Sequence, residues 1–243
     1  MPRVRISRAS LLLSLILAAP LLAGQPDRRQ QLATWLTQLG DREPQTRQIA
    51  RRNLLGLSST DLPALRQIIA TGHLTPAQLD PLEEIITYVS TRNTLIDERG
   101  DTASPFLGVS MAAFPALRDD ADDNSPELGV VVDNRLFGYV AYRYLENGDV
   151  ITALGRDGDL KPTHTSEELR AVVQTFSPGQ TITVSLLRNG TPMTTRFAID
   201  YAPQAAVEKT ASPSQLEALI DRVRGDAQTV YDQQFRPLID PAT

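Results

Sequence analysis

The stretch Ser104-Pro105-Phe106-Leu107-Gly108-Val109-Ser110-Met111 marks the point at which the chain changes its period. Upstream, from Asp27 to about Asn93, apolar residues recur at helical spacing, as in Leu32, Trp35, Leu36 and Leu39 at i, i+3, i+4 and i+7. Downstream, short runs rich in Val, Ile, Thr and Phe predict strands over Phe106 to Met111, Gly129 to Asp133, Val150 to Leu154, Thr181 to Arg188 and Thr194 to Asp200. Asn189-Gly190 between the last two is a hairpin turn signal. Thr165 with Glu168 forms a capping box that opens a helix over Ser166 to Phe176.

The helical half breaks near Gly40, Ser58 and Gly72 into four short segments. Ser59 or Thr60 can cap a helix whose first turn takes Pro63, and Thr75 precedes Pro76 in the same way. A last helix, Pro213 to about Tyr231, carries the stripe Leu216, Leu219, Ile220, Val223, Val230 and Tyr231 and must dock on this protein or on a partner. The expected fold class is α+β. Its parts are a small all-α domain over 25–95, a linker over 96–103, a β-sandwich or partly open barrel with two helices over 104–201, and a linker with a C-terminal helix over 202–243.

The ends and the composition restrict the function. Arg3, Arg5 and Arg8 precede an apolar run from Leu11 to Ala23, the pattern of a signal peptide spanning 1–24. Thirteen helical residues reach only about 20 Å, short of the roughly 30 Å hydrocarbon core, which argues against a permanent anchor. Export to the periplasm or the extracellular space is therefore expected, with a membrane tether only where the signal stays on. Losing three arginines makes a chain of formal charge −5 more acidic still, which argues against a nucleic-acid partner. The absence of cysteine excludes disulfides, a thiol nucleophile and cysteine-based zinc sites.

Phe106-Leu107-Gly108-Val109, Gly148-Asp149-Val150-Ile151, Ser166-Glu167-Glu168-Leu169 and Pro178-Gly179-Gln180 leading into Thr181-Ile182-Thr183-Val184 together resemble a PDZ domain. The order matches the bacterial form found in exported trypsin-like heat-shock proteases, where the closing strand comes last. The run from Leu39 through Ala50, Leu54 and Leu55 to Leu62-Pro63-Ala64-Leu65-Arg66 resembles a HEAT-like helical repeat, with any four-helix module as the alternative.

The PDZ resemblance implies a peptide-binding groove formed by Phe106, Leu107, Gly108, Val109, Ser110 and Met111 on one side and Ser166, Leu169, Arg170 and Val173 on the other. Physically, an apolar-Gly-apolar turn can aim successive N–H groups at a carboxylate, with Gly108 expected to leave room for the anion. The strand edge from Val109 to Met111 can then accept an extended peptide as an added strand. The resemblance fails at Gly138-Tyr139-Val140-Ala141-Tyr142-Arg143-Tyr144-Leu145, where three tyrosines replace small residues. Packing against the terminal helices and an aromatic interaction surface both remain open for them.

No catalytic apparatus is legible. A protease of the related type needs a double β-barrel of roughly 180 residues, and His73 is the only histidine before Ser104. Lys161 and Lys209 are the only lysines, and phosphate-loop and dinucleotide motifs are absent. Asp119-Asp120-Ala121-Asp122-Asp123-Asn124 lacks the glycine and distal glutamate of a calcium loop. Asn189-Gly190-Thr191 fits a glycosylation acceptor, but the turn explains it fully, and His73 and His164 make no metal motif. The expectation is an exported, non-catalytic protein without cofactor or metal that binds protein or peptide C-termini or extended segments as adaptor or scaffold. The alternatives are a structural scaffold with a blocked groove and an accessory subunit of an envelope protease. Oligomeric state is not readable.

Overall fold

The computed structural model describes residues 27–97, 104–112, 129–203 and 213–240. The expected signal peptide and its cleavage near Gly24, the acidic run from Asp119 to Asn124, and most of both linkers lie outside these residues.

Helices α1 (Arg28–Leu39), α2 (Pro44–Leu54), α3 (Leu62–Thr71), α4 (Pro76–Leu79) and α5 (Leu82–Asp97) come first. Their starts follow local chemistry. Ser58 and Asp61 form a reciprocal cap ahead of α3, and Thr75 and Gln78 do the same for α4. Asp61 also receives Nε and one terminal nitrogen of Arg28, each at 2.8 Å, which ties the start of α1 to the start of α3. Helix α5 runs through Asp97, two residues into the stretch expected as linker.

A sheet domain follows, with β1 (Pro105–Phe106), β2 (Val109–Ala112), β3 (Val130–Arg135), α6 (Ala141–Tyr144), β4 (Val150–Arg156), β5 (Asp159–Pro162), α7 (Ser166–Val173), β6 (Thr181–Arg188), β7 (Thr191–Ala198) and β8 (Asp200–Tyr201). The larger sheet is antiparallel in the order β2-β3-β4-β6-β7, with β5 paired to β4, and it does not close into a barrel. Strands β1 and β8 form a separate two-stranded ladder. The chain ends in α8 (Pro213–Gln234) and α9 (Arg236–Ile239).

The expected single strand from Phe106 to Met111 is two strands. Gly108, at φ +77°, breaks it, so that Phe106 pairs with Asp200 while Val109 pairs with Arg135. Strand β5 was not expected, because Asp159-Leu160-Lys161-Pro162 is too short and polar to show a period. Helix α7 stops at Val173, three residues early, in a tightening last turn where Phe176 N donates to Val173 O at 3.1 Å. The Asn189-Gly190 hairpin forms as expected, with both residues at positive φ.

Two apolar clusters hold these layers. One joins α1 to α5 with Ile220, Val223, Tyr231 and Phe235 of the C-terminal helices and with Leu136, Phe137 and Tyr139 from the sheet domain. The other lies between the sheet and α7 and includes Leu107, Val132, Leu154, Leu169, Val173 and Val184. Helix α8 therefore docks on its own chain, along α5, where Thr87 Oγ1 donates to Gln228 Oε1 at 3.3 Å.

Candidate functional site

Strand β2 is an outer strand, and among the described strands it pairs only with β3. A bulge at Asp133 shifts the register between Ser110 and Met111. Val109 and Met111 are half-buried against the sheet cluster, and the Ser110 hydroxyl donates to Asn134 O at 3.5 Å. The other edge of β2 faces away from the ladder.

Across from it stands α7. Thr165 caps it by accepting from Glu168 N, while the Glu168 carboxylate accepts from His164 N at 2.7 Å and from Thr165 N at 3.3 Å. The bond from His164 holds the Glu168 carboxyl below its usual range. Leu169 and Val173 are buried in the same apolar cluster as Leu107. Ser166 is half-buried at the helix start, and Arg170 is exposed beside Glu167 at 3.6 Å.

The turn between β1 and β2 presents donors. Among the described residues no backbone carbonyl accepts from Leu107 N–H or Gly108 N–H, whereas Gly108 O accepts from Leu136 N at 2.9 Å. The two N–H groups directly precede β2, while the side chains of Leu107, Leu169 and Val173 are buried in the sheet cluster. Such an arrangement can bind an oxyanion at the end of an extended chain.

Two of the predicted site residues play different parts from those expected. Phe106 does not join Leu107: its ring lies edge-on to Tyr139 at 4.9 Å in the helical cluster, because neighbouring extended residues point to opposite faces. Gly108 was expected to make room for an anion. A Cβ built there would instead lie 2.3 Å from Tyr139 Cβ, so the glycine is needed for the close approach of the chain's own turn.

The three tyrosines are packing residues. Tyr139 is buried, Tyr142 stacks on Tyr88 at 5.4 Å and donates to Glu84 at 2.6 Å, and Tyr144 stacks on Phe197 at 5.1 Å. Sequence reasoning missed what holds Tyr139. Tyr88 Oη donates to Tyr139 O at 2.8 Å, and Arg92 donates to Gly138 O at 3.2 Å and to both Asp200 carboxylate oxygens at 2.7 and 3.0 Å. Asp200 accepts from Val140 N as well. Burial opposes the Arg92 charge, but Asp200 and Tyr88 together more than offset it, leaving the guanidinium pKa raised, while burial, above all, pushes the Tyr88 hydroxyl well above its usual range. Only the isolated acid at Asp200, at the end of a strand signal, hinted at this in the sequence.

No cluster of metal-ligating side chains occurs among the described residues. No helix among them is long and apolar enough to cross a membrane.

No protein-family model matches the chain, and no curated protein does. Among solved structures it is similar to a variant of the HtrA-type protease AlgW with decapeptide, at 24% identity and a TM-score of 0.37 over 46% of this chain and 33% of that one. It is also similar to the HtrA-type protease AlgW with decapeptide, at 25% identity and a TM-score of 0.33 over 46% of this chain and 34% of that one. A third likeness is to an aminopeptidase N family protein from Idiomarina loihiensis, at 21% identity and a TM-score of 0.32 over 50% of this chain and 18% of that one. The chain thus spans about a third of the length of the two protease chains. At these TM-scores the likenesses carry no argument.

Proposed function

We propose that this is an exported, non-catalytic protein whose sheet domain is of the PDZ type and binds the C-terminus or an extended segment of another polypeptide by strand addition. The observation that carries this reading is a β2 edge, unpaired among the described strands, that directly follows the Leu107 and Gly108 N–H groups, for which no described backbone carbonyl is an acceptor. An added strand gains main-chain hydrogen bonds along β2, and its side chains alternate between solvent and the wall formed by α7. The terminal carboxylate meets the paired N–H groups, and a charge-assisted hydrogen bond contributes about 1.5–3 kcal/mol.

In this reading residues 1–24 direct export and are removed, residues 25–95 form a helical domain, and residues 104–201 recognise the partner. The protein acts as an adaptor or scaffold between polypeptides and needs no cofactor, metal or nucleic acid.

The test is a titration of the full chain with a pool of fluorescein-labelled decapeptides randomised at their last four positions, as free acids and as C-terminal amides. Tighter binding of the acids supports terminus recognition. Equal binding of both forms shifts the reading to internal extended segments, and no binding of either points to a closed groove and a purely structural role.

A further inference from the structure

We propose that helix α5 is part of the terminus-binding site: Tyr88 and Arg92 act as positioning residues that set the Leu107 and Gly108 N–H donors through the Gly138-Tyr139-Val140 turn. The inference rests on the function proposed above and adds to it the element that holds the donors in place.

The contacts form a closed circuit. Gly108 lies directly against Tyr139, with an added Cβ only 2.3 Å from Tyr139 Cβ, and its carbonyl is fixed by Leu136 N at 2.9 Å. Phe106, on the other side of the donors, packs on the Tyr139 ring at 4.9 Å. The turn that carries Tyr139 has three successive main-chain groups held from elsewhere: Gly138 O by Arg92, Tyr139 O by Tyr88 and Val140 N by Asp200. Asp200 is gripped by Arg92 and is the ladder partner of Phe106. The path therefore runs from α5 to the turn, from the turn to Gly108, and from Asp200 back to Phe106.

The circuit is tight and mostly dry. Tyr88 is fully buried, and the Arg92 and Asp200 side chains are 18% and 8% exposed. A Cβ on Gly138 would come within 2.8 Å of Leu95 and 3.0 Å of Thr91, so the turn sits as close to α5 as a main chain can. The side chains of Leu136, Phe137 and Tyr139 belong to the helical cluster rather than to the sheet cluster. Phe137 meets Tyr88 edge-on at 5.5 Å, and Arg224 of α8 lies 4.5 Å over its ring. The wall behind the donors is built from helices, whereas Leu107 packs into the cluster of the sheet and α7.

Donor pairs discriminate an oxyanion only when their directions are fixed before it arrives, because reorienting them on binding uses up the interaction. The sheet alone fixes one side of this turn, through β2 and β3. The helices fix the other.

The experiment compares the full chain with Tyr88→Phe, Arg92→Lys and, as a control in the same helical layer off the circuit, Arg28→Gln. Tyr88→Phe keeps the buried ring and removes the hydroxyl, and with it the bond to Tyr139 O and the interaction with Arg92. Amide hydrogen exchange, read by NMR without peptide, should quicken at least tenfold at Leu136 and Val140, whose N–H groups are bound by Gly108 O and Asp200, in Tyr88→Phe and Arg92→Lys, and not in β6 and β7 or in the control. With the randomised decapeptide pool, the preference for free acid over amide should fall at least tenfold in the same two variants while amide affinity stays within twofold of wild type. Unchanged exchange at Leu136 and Val140 in both variants overturns the inference, as does equal loosening of the whole sheet. A wild type that binds acid and amide equally, with the exchange shift present, overturns the terminus reading alone and leaves the positioning of the turn standing.

Discussion

Replacing Gly108 by alanine should cost more than the same change at a glycine with the same backbone and open space. Gly108 and Gly148 have φ of +77° and +89°, so alanine meets the left-handed penalty at both. That penalty is about 1–2 kcal/mol, offset in part by roughly 0.4–1 kcal/mol from the lower entropy of the unfolded chain. At Gly148 a new Cβ has nothing within 4 Å, so the net cost there is about 1 kcal/mol. At Gly108 it meets Tyr139 Cβ at 2.3 Å and Cγ at 3.0 Å, and Tyr139 cannot retreat because its carbonyl is bound by Tyr88. Overpacking of this kind adds about 1–3 kcal/mol. A difference of about 2 kcal/mol corresponds to roughly 4–8 °C in Tm for a chain of this size.

Thermal unfolding of Gly108→Ala and Gly148→Ala, followed by circular dichroism, measures that difference. Tyr139→Ala in the Gly108→Ala background should not restore stability, since alanine keeps the offending Cβ, whereas Tyr139→Gly should restore part of it. Two single variants that melt together would refute the contact between the β1–β2 turn and Tyr139, and with it the path from the helices to the donors.

The remaining predictions probe charge and export. Arg92→Met leaves Asp200 buried without its cation and should destabilise the fold by about 3–5 kcal/mol in urea unfolding; adding Asp200→Asn should recover much of that loss, and additive losses would refute the pairing. The Arg28 guanidinium, through its hydrogen bonds, holds the Asp61 carboxyl well below the usual carboxylate range. Its folded pKa being depressed, the stabilisation is complete above the unfolded value of about 3.9 and is lost as pH falls below it. Urea midpoints of wild type and Arg28→Gln should therefore differ at pH 7 and converge in acid, and a constant gap would refute the assignment. N-terminal sequencing of protein from the envelope fraction should find Gly24 or Gln25 first, and an intact Met1 would refute cleavage.

The parts of this fold legible in the sequence are those decided locally. The Thr165 and Glu168 cap, the Asn189-Gly190 hairpin and the stripe of α1 each depend on residues within one or two turns of chain, and all three form. The Φ-Gly-Φ pattern is legible locally, and Leu107, Leu169 and Val173 belong to one buried cluster. What failed was the direction of side chains at the break in the strand. The pattern gives no sign that Phe106 turns to the helices while Leu107 turns to the sheet, because that choice is made by β8 pairing with β1 across 94 residues of chain, from Phe106 to Asp200. Tyr88 and Arg92 were invisible for the same reason: on α5 they read as ordinary stripe and surface residues, and their role exists only once a distant turn is laid against them.

Two of the three tyrosines have a common physical reason. Tyr139 enters the helical cluster and Tyr142 lies against it, whereas Tyr144 stacks on Phe197 of the sheet. Large aromatics at these positions need a partner layer, since each leaves well over 100 Å² of ring surface to cover. Helix α5 meets them through Tyr88 and Glu84, and Gly138 lets the main chain come close enough for Tyr88 and Arg92 to reach its carbonyls. The same substitutions that weaken the sequence resemblance thus attach the sheet domain to its helices.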